Sequence, residues 1–329
     1  MLRFFANAKY DFIGVRRYAY VVTAAFILPG LLFLLVKGLN YSIEFTGGTL
    51  IQIHSQKTVD VAELRAGLDR QGIHGAEIQN FGAPDEYVIR ARVAKPGTDA
   101  NDTQATAAAV SLALDAVLGG GTYTVERTEA VGPKVGGELR QKAFFAIFLS
   151  FFAVLAYLAY RFEWRFGLAA VMATAHDILA TIAFIAVMRL EVSLTVVAAV
   201  LSMVGYSLND TIIIFDRVRE NLRKHKKMGF EDILNLAVNE TLPRSVLTHG
   251  TTLATLLALI IFAGEVIRPF ALVMFFGVFT GTFSSIYIAS PVLMAIERRW
   301  PGALARGHLG TTPSPAPASH GRKAEPVGR

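Results

Sequence analysis

Three ionisable side chains lie where ionisable side chains are rare. Asp210 follows Gly205-Tyr206-Ser207-Leu208-Asn209 and precedes Thr211-Ile212-Ile213-Ile214-Phe215, inside an apolar run long enough to cross a bilayer. Asp177, preceded by His176, lies within the apolar run before it, and Arg244 stands at the mouth of the one after it. A charge at bilayer depth costs roughly 2.5–3.5 kcal/mol on insertion scales, so such a group normally faces a protein partner or a water-filled path. Two acids and a base at similar depth point to proton handling. A carboxyl alternates between its two forms when its surroundings change: burial disfavours the charged form and a nearby guanidinium favours it. Movement of Arg244 toward or away from Asp210 would then switch proton affinity. Each role has a plainer competitor. Asp210 could be a packing group bonded to serine or threonine, Arg244 a cation that snorkels to headgroups, and Asp177 a relay or a brace. Asn209 and Thr211 could orient the carboxylate or simply pack locally.

The rest of the chain must carry these groups through a membrane. It has 329 residues, is 53% hydrophobic, and has a mean hydropathy of +0.44. Six segments reach the roughly 20 apolar residues that a spanning helix needs: about Tyr18 to Val36, Ala143 to Tyr160, Phe166 to Met188, Leu194 to Phe215, Val246 to Ala263 and Phe270 to Ile296. There is no cysteine, so thiolate metal sites and disulfides are excluded. The net charge of +6 is explained by positive-inside loops without invoking nucleic acid. Lys and Arg gather around residues 3–17, 161–165, 217–227 and 298–299, which predicts that both termini are cytoplasmic. The first span is read as a retained anchor, because Lys37-Gly38-Leu39-Asn40 is a poor cleavage site.

The predicted organisation is a cytoplasmic N-terminus over 1–17, a first span over 18–37, an exported domain over 38–142, and a five-helix bundle over 143–296. The bundle carries a cytoplasmic loop over 216–245, and a disordered tail follows over 297–329. Within that loop, Phe230, Ile233, Leu234 and Ala237 suit an interfacial helix. The exported domain reads β-α-β-β-α-β. Thr49, Ile51 and Ile53 alternate as on a strand; Val61, Leu64 and Leu68 recur at helical spacing behind Asp60 and Glu63; residues 76–81 form a short strand. Tyr87, Ile89, Ala91 and Val93 face away from Arg90 and Arg92 on the next strand. Val110, Ala113, Leu114, Val117 and Leu118 mark a second helix and Tyr123 and Val125 a last strand, with residues 94–102 as the loop between halves. This order fits a ferredoxin-like fold. His54 and His74 are isolated, and no nucleophile or metal spacing is visible.

Several glycines are read by backbone need. Gly47 and Gly48 permit a turn at the domain edge. Gly132, Pro133, Gly136 and Gly137 mark a junction where the domain could hinge. Gly277 and Gly281 form a small-xxx-small pair for close helix approach, either within the chain or to a partner.

Three stretches together resemble the SecF family, membrane subunits of the bacterial Sec preprotein translocase and members of the SecD/SecF group of the resistance-nodulation-division superfamily. They are Tyr41-Ser42-Ile43-Glu44-Phe45-Thr46-Gly47-Gly48, then Val131-Gly132-Pro133-Lys134-Val135-Gly136-Gly137-Glu138-Leu139, then Gly205 through Asn221 resuming at Asn239 through Thr252. Glu44 stands where the family more often carries Asp. The resemblance implies a bacterial inner-membrane location and no enzymatic cofactor, with protons as the coupling ion. It also implies SecD as a separate chain, the Sec channel and a translocating preprotein as partners, and use of the proton motive force for late export. It places the family's membrane carboxylate on Asp210 and its cytoplasmic-side arginine on Arg244. Three other functions share some features. A half-size proton-driven exporter of lipids or small molecules would need a lined cavity. An intramembrane aspartyl protease would need a Gly-x-Gly-Asp element, where this chain has Ser-Leu-Asn before its acid. A passive assembly subunit would tolerate loss of Asp210.

Overall fold

Helical runs interrupted by one mixed α/β stretch give the chain its two parts. The computed structural model describes residues 8–91, 103–161, 163–264 and 266–309. Among these residues six helical spans are long and apolar enough to cross a membrane. The first is α1 (Arg16–Lys37). The next four are α5 (Pro133–Arg161), α6 (Trp164–Val187), α7 (Leu194–Lys224) and α8 (Phe230–Phe262). The last is built from α9 (Arg268–Ser284), a π-helical turn (Ser285–Ala289) and α10 (Ser290–Arg299). The chain is a polytopic helical membrane protein.

Burial ranks the spans. The apolar windows of α6, α7 and the last span are 50%, 56% and 61% buried, against 17%, 11% and 17% for α1, α5 and α8. The first three therefore form the centre, and the others pack around them. The acids Asp177 and Asp210 sit on two of the three central helices, where lipid cannot reach them. The π turn has a local cause. Pro291 has no N–H to give the carbonyl four residues back, and the chain widens before it. Ser290 Oγ donates to the Ser285 carbonyl at 3.2 Å within the widened turn.

Between α1 and α5 lie β1 (Asn40–Tyr41), α2 (Ile43–Thr46), β2 (Gly48–Ser55), α3 (Val61–Arg70), β3 (Glu77–Phe81), β4 (Ala83–Ala91), α4 (Thr103–Leu118) and β5 (Tyr123–Val131). The four longer strands form an antiparallel sheet in the order β3-β4-β2-β5, as two interleaved β-α-β units require. Ile51, Ile53, Tyr87 and Ile89 of the sheet are buried with Leu64, Leu68, Val110 and Leu114 of α3 and α4. Asp60 caps α3 by accepting from Ala62 N at 2.7 Å. Val93, Arg92 and the loop expected over 94–102 lie outside the described residues, as do residues 1–7 and the tail beyond 309.

The sheet's other face meets the bundle. A two-residue strand β6 (Glu191–Val192), between α6 and α7, pairs in parallel with β1. Glu44 accepts from Leu194 N at 2.6 Å, giving the first turn of α7 a carboxylate partner. Arg90 of β4 reaches across to form an ion pair with Glu191 and lies 3.8 Å from Glu77. These contacts tie the domain to the turn that joins the two acid-bearing helices.

Three expectations change. Of the segment expected as a cytoplasmic loop over 216–245, only residues 225–229 lie outside helices, because α7 and α8 continue beyond their apolar stretches. The face of Phe230, Ile233, Leu234 and Ala237 is buried in protein rather than offered to headgroups. The tail expected to be disordered from 297 is ordered through 309. Within it, Ala305 is buried, Glu297 accepts from Gly302 N at 2.7 Å, and both ring nitrogens of His308 meet backbone carbonyls, of Met228 at 2.8 Å and Leu222 at 3.1 Å. Composition marks low hydropathy in these segments, but the chain's own surface supplies what they pack on.

Candidate functional site

A run of small and hydroxylated residues on the central helices builds a polar seam in an apolar bundle. On α9, Gly277 and Gly281 lie against Met203 and Ser207 of α7; a Cβ at Gly281 would stand 2.8 Å from Ser207 Cβ. The small pair thus serves packing within the chain. It lets α7 and α9 approach closely enough for Ser207 and Ser284 to reach one carboxylate. Ser207 Oγ donates to Asp177 Oδ2 at 2.5 Å, and Ser284 Oγ donates to the same oxygen at 2.7 Å. His176 Nδ1 lies 2.9 Å from Asp177 Oδ1. Asp177 is 0% exposed and both of its oxygens are engaged.

Asp210 sits one turn beyond Ser207 on α7 and is 3% exposed. Ser245 of α8 donates to its Oδ1 at 2.7 Å. Its Oδ2 is buried and has no hydrogen-bond partner among the described residues. His249, one turn after Ser245, is buried on the same face of α8, and its Nδ1 likewise has no partner among the described residues. The Asp210 charge and the Ser245 carbonyl both act electrostatically on the imidazole. It packs edge-on against Tyr206, with ring centroids 5.4 Å apart. Tyr206 is fixed in turn by its hydroxyl, 2.8 Å from Thr252 Oγ1. A buried carboxylate with one free oxygen has unspent hydrogen-bonding capacity, and that is costly unless the group changes charge or partner.

The other expected residues fall as follows. Thr211 turns from Asp210 and lies 2.8 Å from Ser285 Oγ in the π turn. Asn209 is exposed on the far side of α7, so it does not orient the carboxylate. Arg244 is exposed; the side chain bonded to Asp210 is that of its neighbour, Ser245. Pro243 lies within α8 just before both, where a backbone hydrogen bond is missing and a helix bends readily. Gly47 and Gly48 occupy the α2–β2 turn with φ of 73° and 134°. Gly132 precedes α5 and accepts from Gly136 N, Pro133 begins the helix, and Gly136 lies within its first turns, where a Cβ would come 2.9 Å from Gly47 N. Gly136 and Gly137 are thus helical here, and Gly136 is a close-approach position.

Sequence reading missed Ser207, Ser245, Ser284 and His249. The spacing of Ser245 and His249, four residues apart beside the basic mouth of a span, is the signal that was available. His54, expected to be isolated, is not: its ring and the carboxylates of Glu86 and Glu126 bring ligand atoms within 4.8 Å of one another, on the face of the sheet away from α3 and α4. Asp85, 3.7 Å from His54, and Gln52, bonded to Glu126 at 3.0 Å, compete for these groups.

At the domain junction, burial pushes the Glu191 carboxyl above the ordinary glutamate range. Arg90 opposes the shift, and the charges of Glu44 and Glu77 reinforce it.

Comparison with known proteins gives these features a family. Residues 110–299 match the family described as Protein export membrane protein SecD/SecF, C-terminal, and residues 32–59 match the SecD/SecF GG Motif. The chain is 57% identical over 305 residues to a protein of Gemmatimonas aurantiaca named Protein translocase subunit SecF, covering 92% of this chain and 91% of that one. It is 40% identical over 295 residues to the protein of the same name from Calditerrivibrio nitroreducens, covering 88% and 95%. Its fold matches the crystal structure of SecDF, a translocon-associated membrane protein from Thermus thermophilus, with a TM-score of 0.79 and 34% identity. That match covers 89% of this chain and 39% of the SecDF chain.

Proposed function

The chain belongs to the SecD/SecF family of protein export membrane proteins, and on that premise we propose that it is a proton-coupled accessory subunit of Sec protein translocation. In this reading it sits in a bacterial inner membrane with both termini in the cytoplasm. Its β-α-β-β-α-β domain is a ferredoxin-like module on the periplasmic side. SecD is its partner as a separate chain, and the pair acts with the Sec channel on a late stage of preprotein export. It catalyses no bond chemistry, and protons are its coupling ion.

The single observation that carries the proton role is the half-satisfied carboxylate of Asp210. One oxygen is held by Ser245 and the other is buried and free. Protonation removes the cost of that free oxygen's charge, and loss of the proton restores it, so α7 and α8 have a reason to change their relation with each proton. Arg244 is the stabiliser of the ionised form. Successive helix positions point about 100° apart, so a turn of α8 at Pro243 would exchange Ser245 for Arg244 beside the carboxylate. A proton crossing the field supplies about 2.3 kcal/mol per 100 mV, and several could drive such a motion. The junction of Glu44, Arg90 and Glu191 offers the mechanical path, since it joins the start of α7 to the sheet. Asp177 serves as the fixed brace against which α7 moves.

Asp210→Asn tests the reading. In inverted membrane vesicles assembled with SecD, it is expected to abolish the stimulation of export by a proton gradient while leaving co-purification with SecD intact. Stimulation at the unsubstituted level would overturn the proposal.

A further inference from the structure

Asp210 Oδ2 has a counterpart on α8: His249 Nδ1 is likewise buried and without a hydrogen-bond partner among the described residues. We propose that His249 is a second proton-carrying group of the site, taking the proton from Asp210 and returning it. The inference rests on the reading of Asp210 as the coupling carboxylate.

Both groups are buried, and each holds one free polar atom: Oδ2 on Asp210 and Nδ1 on His249. Ser245 fixes their relative placement. It is bonded to Asp210 and stands one turn before His249, and residues four apart on a helix have neighbouring side chains. The Tyr206 ring packs edge-on against the imidazole, and the Asp210 charge and the Ser245 carbonyl act on it electrostatically. α7 and α9 are the main neighbours of α8 at this level. Beyond Arg268, at its start, α9 carries no ionisable residue, and the ionisable groups of α7 facing His249 are Asp210 and Tyr206. The nearest cation on α8, Arg244, is exposed. A proton leaving Asp210 within the bundle therefore meets one base. The two side chains are not in direct contact, so transfer needs a rotation of the imidazole toward the carboxyl. The step then balances, since the O–H bond at Asp210 Oδ2 breaks, an N–H bond forms on the His249 ring, and carboxylic acid plus imidazole become carboxylate plus imidazolium. The product pair attracts across a medium of low dielectric, which offsets part of the cost of two buried charges.

A bland role for the ring, packing against Tyr206, is the competitor, and it is separable. The full chain with its SecD partner in lipid bilayers, carrying nitrogen-labelled histidine, allows the His249 ring to be titrated; the resonance is assigned by its loss in His249→Gln. Asp210→Asn should displace that titration by on the order of tenfold in proton affinity. His249→Gln should displace the infrared titration of the Asp210 carboxyl by the same factor, as coupled sites must. His249→Phe, which keeps an aromatic ring against Tyr206, should lose proton-driven export as His249→Gln does. Undisplaced titrations, or full export by His249→Phe, would overturn the proposal. The parent reading fails separately, by Asp210→Asn retaining export, and the mutual displacement of the two titrations does not depend on that result.

Discussion

Asp177 and Asp210 are two carboxylates on adjacent central helices, nearly equal in burial, and their surroundings are opposite. Asp177 is met by His176, Ser207 and Ser284, with both oxygens engaged. Asp210 is met by Ser245 on one oxygen and by no described hydrogen-bond partner on the other. Burial alone therefore does not distinguish the two acids; their hydrogen-bond partners do. A carboxylate saturated by donors from α6, α7 and α9 is a clamp, because any movement of one helix breaks a buried bond. A carboxylate with an open oxygen leaves its helix pair free to be changed by a proton.

Substitutions at the two acids should fail in different ways. The largest effect is expected at Asp210. Asp210→Asn should remove all gradient-driven export stimulation, with a thermal unfolding midpoint in detergent close to that of the unsubstituted protein. Asp177→Ala should do the reverse in kind. It strands three polar partners in the bundle and should cost about 3 kcal/mol of stability, read as an earlier unfolding transition and poorer recovery. If Asp177→Asn instead kept its stability and lost all stimulation, the distinction between clamp and working acid would fall.

The domain junction sharpens the comparison at a distance. Glu191→Gln removes the charge that Arg90 pairs with, but burial already disfavours that charge in the folded chain, so overall stability should change little while the junction itself loosens. Protease cleavage at the junction should rise, and gradient-driven export should fall in part. The pH dependence has a definite sign. The Glu191 carboxyl is raised by burial, so acidification neutralises it, and dissolves its pair with Arg90, at a higher pH than for an ordinary glutamate. Its linked contribution to folding is fully present below the ordinary glutamate value and is lost as pH rises through the raised one. Mild acid should therefore loosen the junction locally without unfolding the chain through this residue; coincident loss of both would contradict it. The smallest effect belongs to Ser245→Ala. It removes one hydrogen bond from Asp210, worth about 1 kcal/mol, and should move the pH profile of export while leaving its maximum near normal. An unmoved profile would mean that Ser245 does not set the carboxylate's proton affinity.

How far the site could be read beforehand differed residue by residue. Asp210 and Asp177 stood out because an acid in an apolar run violates the composition around it. The strands and helices of the α/β domain follow from alternation and helical spacing, and the strand order agrees with two interleaved β-α-β units. Ser245 was hidden behind the more conspicuous Arg244, since one residue's difference in helical phase decides which side chain enters the bundle. His249 and Ser284 were hidden because their partners lie on other helices. His54 was read as solitary because its neighbours come from two other strands through cross-strand register. The segment 297–309 was read as loose because its composition is polar, yet His308 finds the Leu222 and Met228 carbonyls.

Hydropathy, charge bias and local periodicity act over neighbouring residues, so the chain alone determined the number of spans, the α/β domain between the first two, and the presence of two acids at membrane depth. Which oxygen of which acid is satisfied depends on side chains brought together from helices distant in sequence. Only the packing of α6, α7, α8 and α9 decided that Asp177 is closed and Asp210 is open, since a hydrogen bond requires an approach to about 3 Å that no spacing along one strand of sequence can guarantee.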